Sequence, residues 1–212
     1  MKTKIQKQQQ RRIDTMEGWT QAMPPRAGAP FVAVDAGPGV RWGVLRRQLG
    51  DGIRNDLTDF TFNKLHPVAA ARVGGAADPW SPTATYEVML PQGAPSDLLE
   101  ARRLVERYEA ESFPGIKDLA IVCNFRIDKT DEILTAWSRV RAFARKAFCE
   151  DRSMAVIAAL HVPARSGVRR DAHVHLVAPA RELGSGGYGA FLRPFCSDAG
   201  AAIIRAEWAA WE

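Results

Sequence analysis

The chain has 212 residues, 46% of them apolar, a formal net charge of +5 and a pI near 9.4. That length and apolar content suit one folded domain and exclude wholesale disorder. The basic balance suits an anionic partner such as nucleic acid without establishing one.

Residues 1–30 read as a basic, disordered tail. Lys2, Lys4, Lys7, Arg11 and Arg12 surround a glutamine run, and Pro24-Pro25 and Gly28-Ala29-Pro30 leave little to bury. No apolar stretch follows those charges, so they do not form a secretory signal. No run reaches the roughly 18 apolar residues of a membrane span. Cys123, Cys149 and Cys196 are odd in number and form no C-x-x-C, the pattern of reduced thiols. A cytoplasmic protein without a membrane span is expected.

Residues 31–212 read as the folded part. Phe31–Val34 and Val40–Leu45 flank Gly37-Pro38-Gly39 and predict a hairpin. The stretch Phe60–Ala71 carries no decisive period, and His66-Pro67 reads as a loop. Gly74-Gly75 and Pro79–Pro82 mark a long connection. Tyr86–Leu90 predicts a strand that Pro91 ends. Ser96 is placed to cap a helix reaching about Glu111, with Leu98, Leu104, Val105 and Tyr108 on its apolar face. Leu119–Phe125 is an apolar run of strand length. Asp131–Phe148 follows as an amphipathic helix, with Ile133, Trp137, Val140, Ala144, Ala147 and Phe148 on one stripe and Arg139, Arg141, Arg145 and Lys146 on a solvated outer face. Two further strands, a glycine-rich loop over Gly184–Gly189 and a last helix over Ala199–Trp211 complete the order. The fold class is α+β, an antiparallel or mixed sheet with helices packed on it.

The apolar run Met154–Leu160 ends in His161, and the chain returns as Asp171-Ala172-His173-Val174-His175-Leu176-Val177. Side chains alternate along a strand, so His173 and His175 share a face. If the two runs pair antiparallel, His161 lies beside them, and three of the four histidines converge. A lone His-x-His is often only a solvated pair. A third imidazole makes a divalent-metal site with open positions. The connecting loop carries Arg165, Arg169 and Arg170, whose guanidinium groups suit the phosphates of an ester bound there.

These residues resemble the metal motif of plasmid mobilisation relaxases of the MobA/MobL type, members of the HUH endonucleases. Tyr86-Glu87-Val88-Met89-Leu90-Pro91, Gly186-Gly187-Tyr188-Gly189 and Arg205-Ala206-Glu207-Trp208-Ala209 are similar to further pieces of the family pattern, so the resemblance covers about residues 85–212. It implies a metal-dependent relaxase that nicks single-stranded DNA at a transfer origin, with His161, His173 and His175 holding Mg²⁺ or Mn²⁺ against the scissile phosphate. A tyrosine hydroxyl would attack and retain the 5′ end as a phosphotyrosyl link. Relaxosome accessory proteins are the further partners it implies. The family places its tyrosine near the N-terminus, where this chain has none before Tyr86. Tyr86 and Tyr108 read as packing residues, which leaves Tyr188, in the glycine loop, as the candidate nucleophile. The alternative is a catalytically inactive, relaxase-derived DNA-binding accessory or regulatory protein. A histidine-triad hydrolase would need a third alternating histidine where Val177 stands, and a two-histidine phosphoesterase would need a second His-x-Thr/Ser element.

Overall fold

The structure is a computed structural model that describes residues 31–49, 52, 54–67 and 84–211. The tail read over residues 1–30 and the connection over 74–82 lie outside the described residues. Eight strands are present among those described: β1 (Val34–Asp35), β2 (Val40–Arg46), β3 (Thr85–Met89), β4 (Asp118–Arg126), β5 (Val156–His161), β6 (His173–Pro179), β7 (Arg181–Gly184) and β8 (Gly187–Phe191). The first six form one sheet in the order β1-β2-β4-β6-β5-β3, and every neighbouring pair is antiparallel. Among the described residues, four α-helices pack on it: α1 (Leu57–Leu65), α2 (Ala101–Ala110), α3 (Ile133–Ala144) and α4 (Ala199–Trp211). The fold is the expected α+β arrangement, with a fully antiparallel sheet.

Each face of the sheet has its own core. Val156, Ala158 and Leu160 of β5 pack with α3 and α4, while Ile157 and Ala159 pack with α1 and α2. The central strands are therefore buried on both sides, which is why they read as unbroken apolar runs rather than alternating ones. On the α3/α4 side, α4 approaches β2 closely. A Cβ at Gly200 would stand 2.4 Å from the Trp42 ring and 2.6 Å from the Phe195 carbonyl, so only glycine fits. Arg141 of α3 and Arg145, the residue just after it, both reach Glu87 of β3, so part of that basic face is an ion-pair seam against the sheet.

Three local expectations change, and His66, past the helix end as the loop reading expects, is buried. Residues 57–65, unassigned from sequence, form α1, whose first turn is capped by the Asp56 carboxylate accepting from the Asp59 amide at 3.1 Å. His66 is buried at the end of α1. It stacks on Phe62 at 4.1 Å, and its Nδ1 lies 2.7 Å from the Phe62 carbonyl. Ser96 caps no helix by its side chain: Ser96–Leu99 is a single tight turn, and α2 begins only after the extended Glu100. The glycine-rich stretch is not a loop but the β7–β8 hairpin, with Leu183 opposite Tyr188.

Candidate metal centre at one end of the sheet

The β5–β6 pairing sets the histidines. His161 is directly opposite His173, and Ala159 is directly opposite His175. Because His161 shares parity with Ile157 and Ala159, and both β6 histidines share parity with Val177, all three imidazoles face the α1/α2 side at the end of the sheet. Their ring centroids are 4.7–5.1 Å apart, and one nitrogen from each lies within 4.8 Å of the others. This cluster could hold a metal ion. Its all-imidazole donor set suits a divalent transition metal better than Mg²⁺, which prefers oxygen ligands.

Two backbone carbonyls fix which nitrogen two of the three rings can offer. His161 donates from Nε2 to the Lys64 carbonyl at 2.6 Å, leaving the lone pair on Nδ1. His173 donates from Nδ1 to the Asp171 carbonyl at 3.0 Å, leaving it on Nε2. Such carbonyl partners orient ligating histidines and hold the tautomer. His175 is 3% exposed, and its Nε2 lies 3.4 Å from the Lys64 amine. The last turn of α1 thus closes over the cluster.

Burial keeps these imidazoles neutral. It pushes His161 down to about 3 against the opposing hydrogen bond to the Lys64 carbonyl, lowers His173, and drives His175 well below the ordinary value. Neutral imidazole is the ligating form, so metal binding need displace no proton from the rings at neutral pH. The same shifts set the acid limb of stability in metal-free protein. As pH falls below about 6.5, the unfolded chain binds protons that the folded cluster refuses, so stability drops from there towards pH 3. Each late-charging histidine adds a slope of up to about 1.4 kcal/mol per pH unit. Urea melts in EDTA from pH 8 to pH 4 should show that slope, and His161→Gln should flatten it; an unchanged slope in the variant contradicts the assignment.

Lys64 was not visible as a site residue in the sequence. It is 3% exposed, burial pushes its amine well below the usual lysine range, and it lies 5.2 Å from the Phe60 ring centre. Seated beside His175, the amine competes with a cation for the same space. Lys64→Met is expected to tighten Mn²⁺ binding about tenfold by calorimetric titration; weaker binding would instead make the amine a ligand.

The predicted phosphate-binding residues follow β5 on the loop at this end. The chain turns through Pro163–Ser166 and passes Gly167 at φ 74°. Arg165 and Arg169 are exposed and Arg170 is half-buried, close enough to His173 that its charge helps lower that imidazole. Tyr188 is placed elsewhere. Leu183, its partner across the hairpin, donates its amide to Ser153 just before β5, beyond the opposite end of the sheet. The length of β6, about 20 Å, separates that end from the histidines. The Tyr188 hydroxyl donates to the Leu104 carbonyl at 3.1 Å, its ring packs edge-on against Tyr108, and burial raises its pKa above the ordinary value. Glu111 accepts its amide and Arg181 grips its carbonyl, so the residue is pinned. The structure thus does not bring Tyr188, the candidate nucleophile, to the histidines: it is a core residue near the other end of the sheet.

No family model matches the sequence, and no curated protein matches it. Among solved structures, the chain is similar to one described as the molecular basis of vancomycin resistance transfer in Staphylococcus aureus. The TM-score is 0.59 at 12% identity, over 86% of this chain and 90% of that one. The fold is relaxase-like. At this identity the likeness is one of fold, and the chemistry must be argued from the site. Among the described residues, no helix is long and apolar enough to cross a membrane.

Proposed function

We propose that the protein is a metal-dependent relaxase of the MobA/MobL type, with residues 31–212 as its relaxase-like domain, which nicks single-stranded DNA at a plasmid transfer origin. The observation that carries this reading is the convergence of His161, His173 and His175 on one face at the end of a relaxase-like sheet. A bound Mn²⁺ or Mg²⁺ would supply Lewis acidity at a phosphoryl oxygen, and of these two ions imidazole donors suit Mn²⁺ better. The two carbonyl-anchored imidazoles hold their lone pairs in place before any substrate arrives. Arg165, Arg169 and Arg170 would bind phosphates flanking the scissile one.

The placement of Tyr188 favours a second reading, a relaxase-derived DNA-binding accessory protein that does not cut. Incubating the protein with labelled single-stranded oligonucleotides and Mn²⁺ separates the two. Cleavage that EDTA stops supports the relaxase. Binding without cleavage, unchanged when His173 and His175 are replaced, supports the accessory protein.

A further inference from the structure

A nicking centre of the kind proposed above needs an oxygen nucleophile within reach of the histidines, and Tyr188 does not provide it. Sheet register identifies what else stands on that face. Two rows of Cα partners cross the sheet at its histidine end. The outer row runs Arg126, His173, His161, and the next runs Arg41, Asn124, His175, Ala159, Tyr86. Parity places Tyr86 on the histidine face, because Val88, two residues on, packs in the α1/α2 core, whereas Glu87 pairs with α3 on the other side.

Tyr86 and His161 are diagonal neighbours on adjacent antiparallel strands. Such pairs lie about 7–8 Å apart, within reach of an aromatic side chain. Tyr86 is half-buried and sits on β3, the last strand of the described sheet. It is the one hydroxyl-bearing side chain that the described strands of the six-stranded sheet present on this face: Thr85 has the opposite parity. Tyr108 and Tyr188 spend their hydroxyls on the backbone carbonyls of Asp118 and Leu104.

We propose that Tyr86 is the nucleophile of this site. The inference rests on the nicking reading and names the residue that performs it. Its phenolic oxygen bonds to phosphorus as the bond from phosphorus to the 3′ oxygen breaks. The phenolic proton passes to water, and the 3′ oxygen leaves as a hydroxyl after taking a proton from water, so the step is a transesterification with no net redox change. Arg41, Asn124 and Arg126 extend the same rows away from Tyr86, a polar strip on which the strand beyond the cut would lie.

The test uses the full chain, Mn²⁺ and a randomised pool of single-stranded oligonucleotides, read by denaturing gel for a covalent adduct and by mass spectrometry of the adducted peptide. The expected result is a phosphotyrosyl group on Tyr86. Adduct and cleavage should fall at least about 10³-fold in Tyr86→Phe, with DNA affinity and melting temperature retained, and persist in Tyr188→Phe. Cleavage by the parent with the adduct on another residue, or with full activity in Tyr86→Phe, overturns Tyr86 and leaves the relaxase reading standing. No cleavage by a parent that binds both Mn²⁺ and the oligonucleotides overturns both.

Discussion

Replacing His173 and His175 together with alanine is expected to weaken Mn²⁺ binding by well over 100-fold and to abolish metal-dependent DNA cleavage. The expectation follows from the donor count. With both β6 imidazoles removed, only His161 remains of the cluster, and its Nε2 is committed to the Lys64 carbonyl. One imidazole cannot hold a labile divalent ion against water, and loss of even an outer-shell partner commonly costs 10–100-fold. The fold should survive, because both positions lie towards the end of β6 and the alanines keep the ladder to β4 and β5. The truncations leave a cavity costing about 1–3 kcal/mol. The same change removes two histidines whose charging the fold disfavours, so the acid limb of stability in EDTA should become shallower. Calorimetric Mn²⁺ titration, set beside far-ultraviolet circular dichroism of the same sample, reads both effects. Retained Mn²⁺ affinity in a folded double variant would place the metal elsewhere and remove the basis of the proposed function.

The histidine cluster was legible in sequence because its geometry is local. Two apolar runs joined by an eleven-residue loop have one economical pairing, and alternation then determines the faces. Everything brought to the cluster from farther away was hidden. Lys64 arrives on a nine-residue helix whose sequence, Leu-Thr-Asp-Phe-Thr-Phe-Asn-Lys-Leu, mixes weak helix formers and is held by packing rather than propensity. Tyr86, Asn124 and Arg41 join the histidine rows only through pairings between strands distant in sequence, β2 with β4, β4 with β6 and β3 with β5, which no local pattern specifies. Tyr188 misled for the opposite reason. Glycines at 184, 186, 187 and 189 suggest a flexible loop, yet here they allow a tight hairpin, with Gly187 at φ 108° beside the Glu111 carboxylate. The ring that seemed free is one of the better anchored in the α1/α2 core.

Trp208→Ala should separate what holds the fold from what makes the site. Trp208 lies on α4, 5% exposed, with ring centres 4.7 Å from Phe125 and 5.1 Å from Phe143, both edge-on, and the Arg139 guanidinium 5.5 Å from its ring centre. Truncating a buried tryptophan of this kind costs about 3–5 kcal/mol, from lost apolar burial and from a cavity that the facing rings fill only in part. For a chain of this size that is a fall in melting temperature of roughly 10 °C. Trp208 packs on the α3/α4 face, whereas the histidines face α1 and α2, so the sheet itself stands between the cavity and the cluster. Protein that remains folded below the new midpoint should therefore bind Mn²⁺ with the parent's affinity, since distant changes without shared partners act independently. Thermal melts and metal titration at 15 °C measure the two quantities on one preparation. A parallel loss of metal affinity would mean that the central strands transmit the α4 contact to β5 and β6, and that the histidine geometry depends on packing across both faces of the sheet.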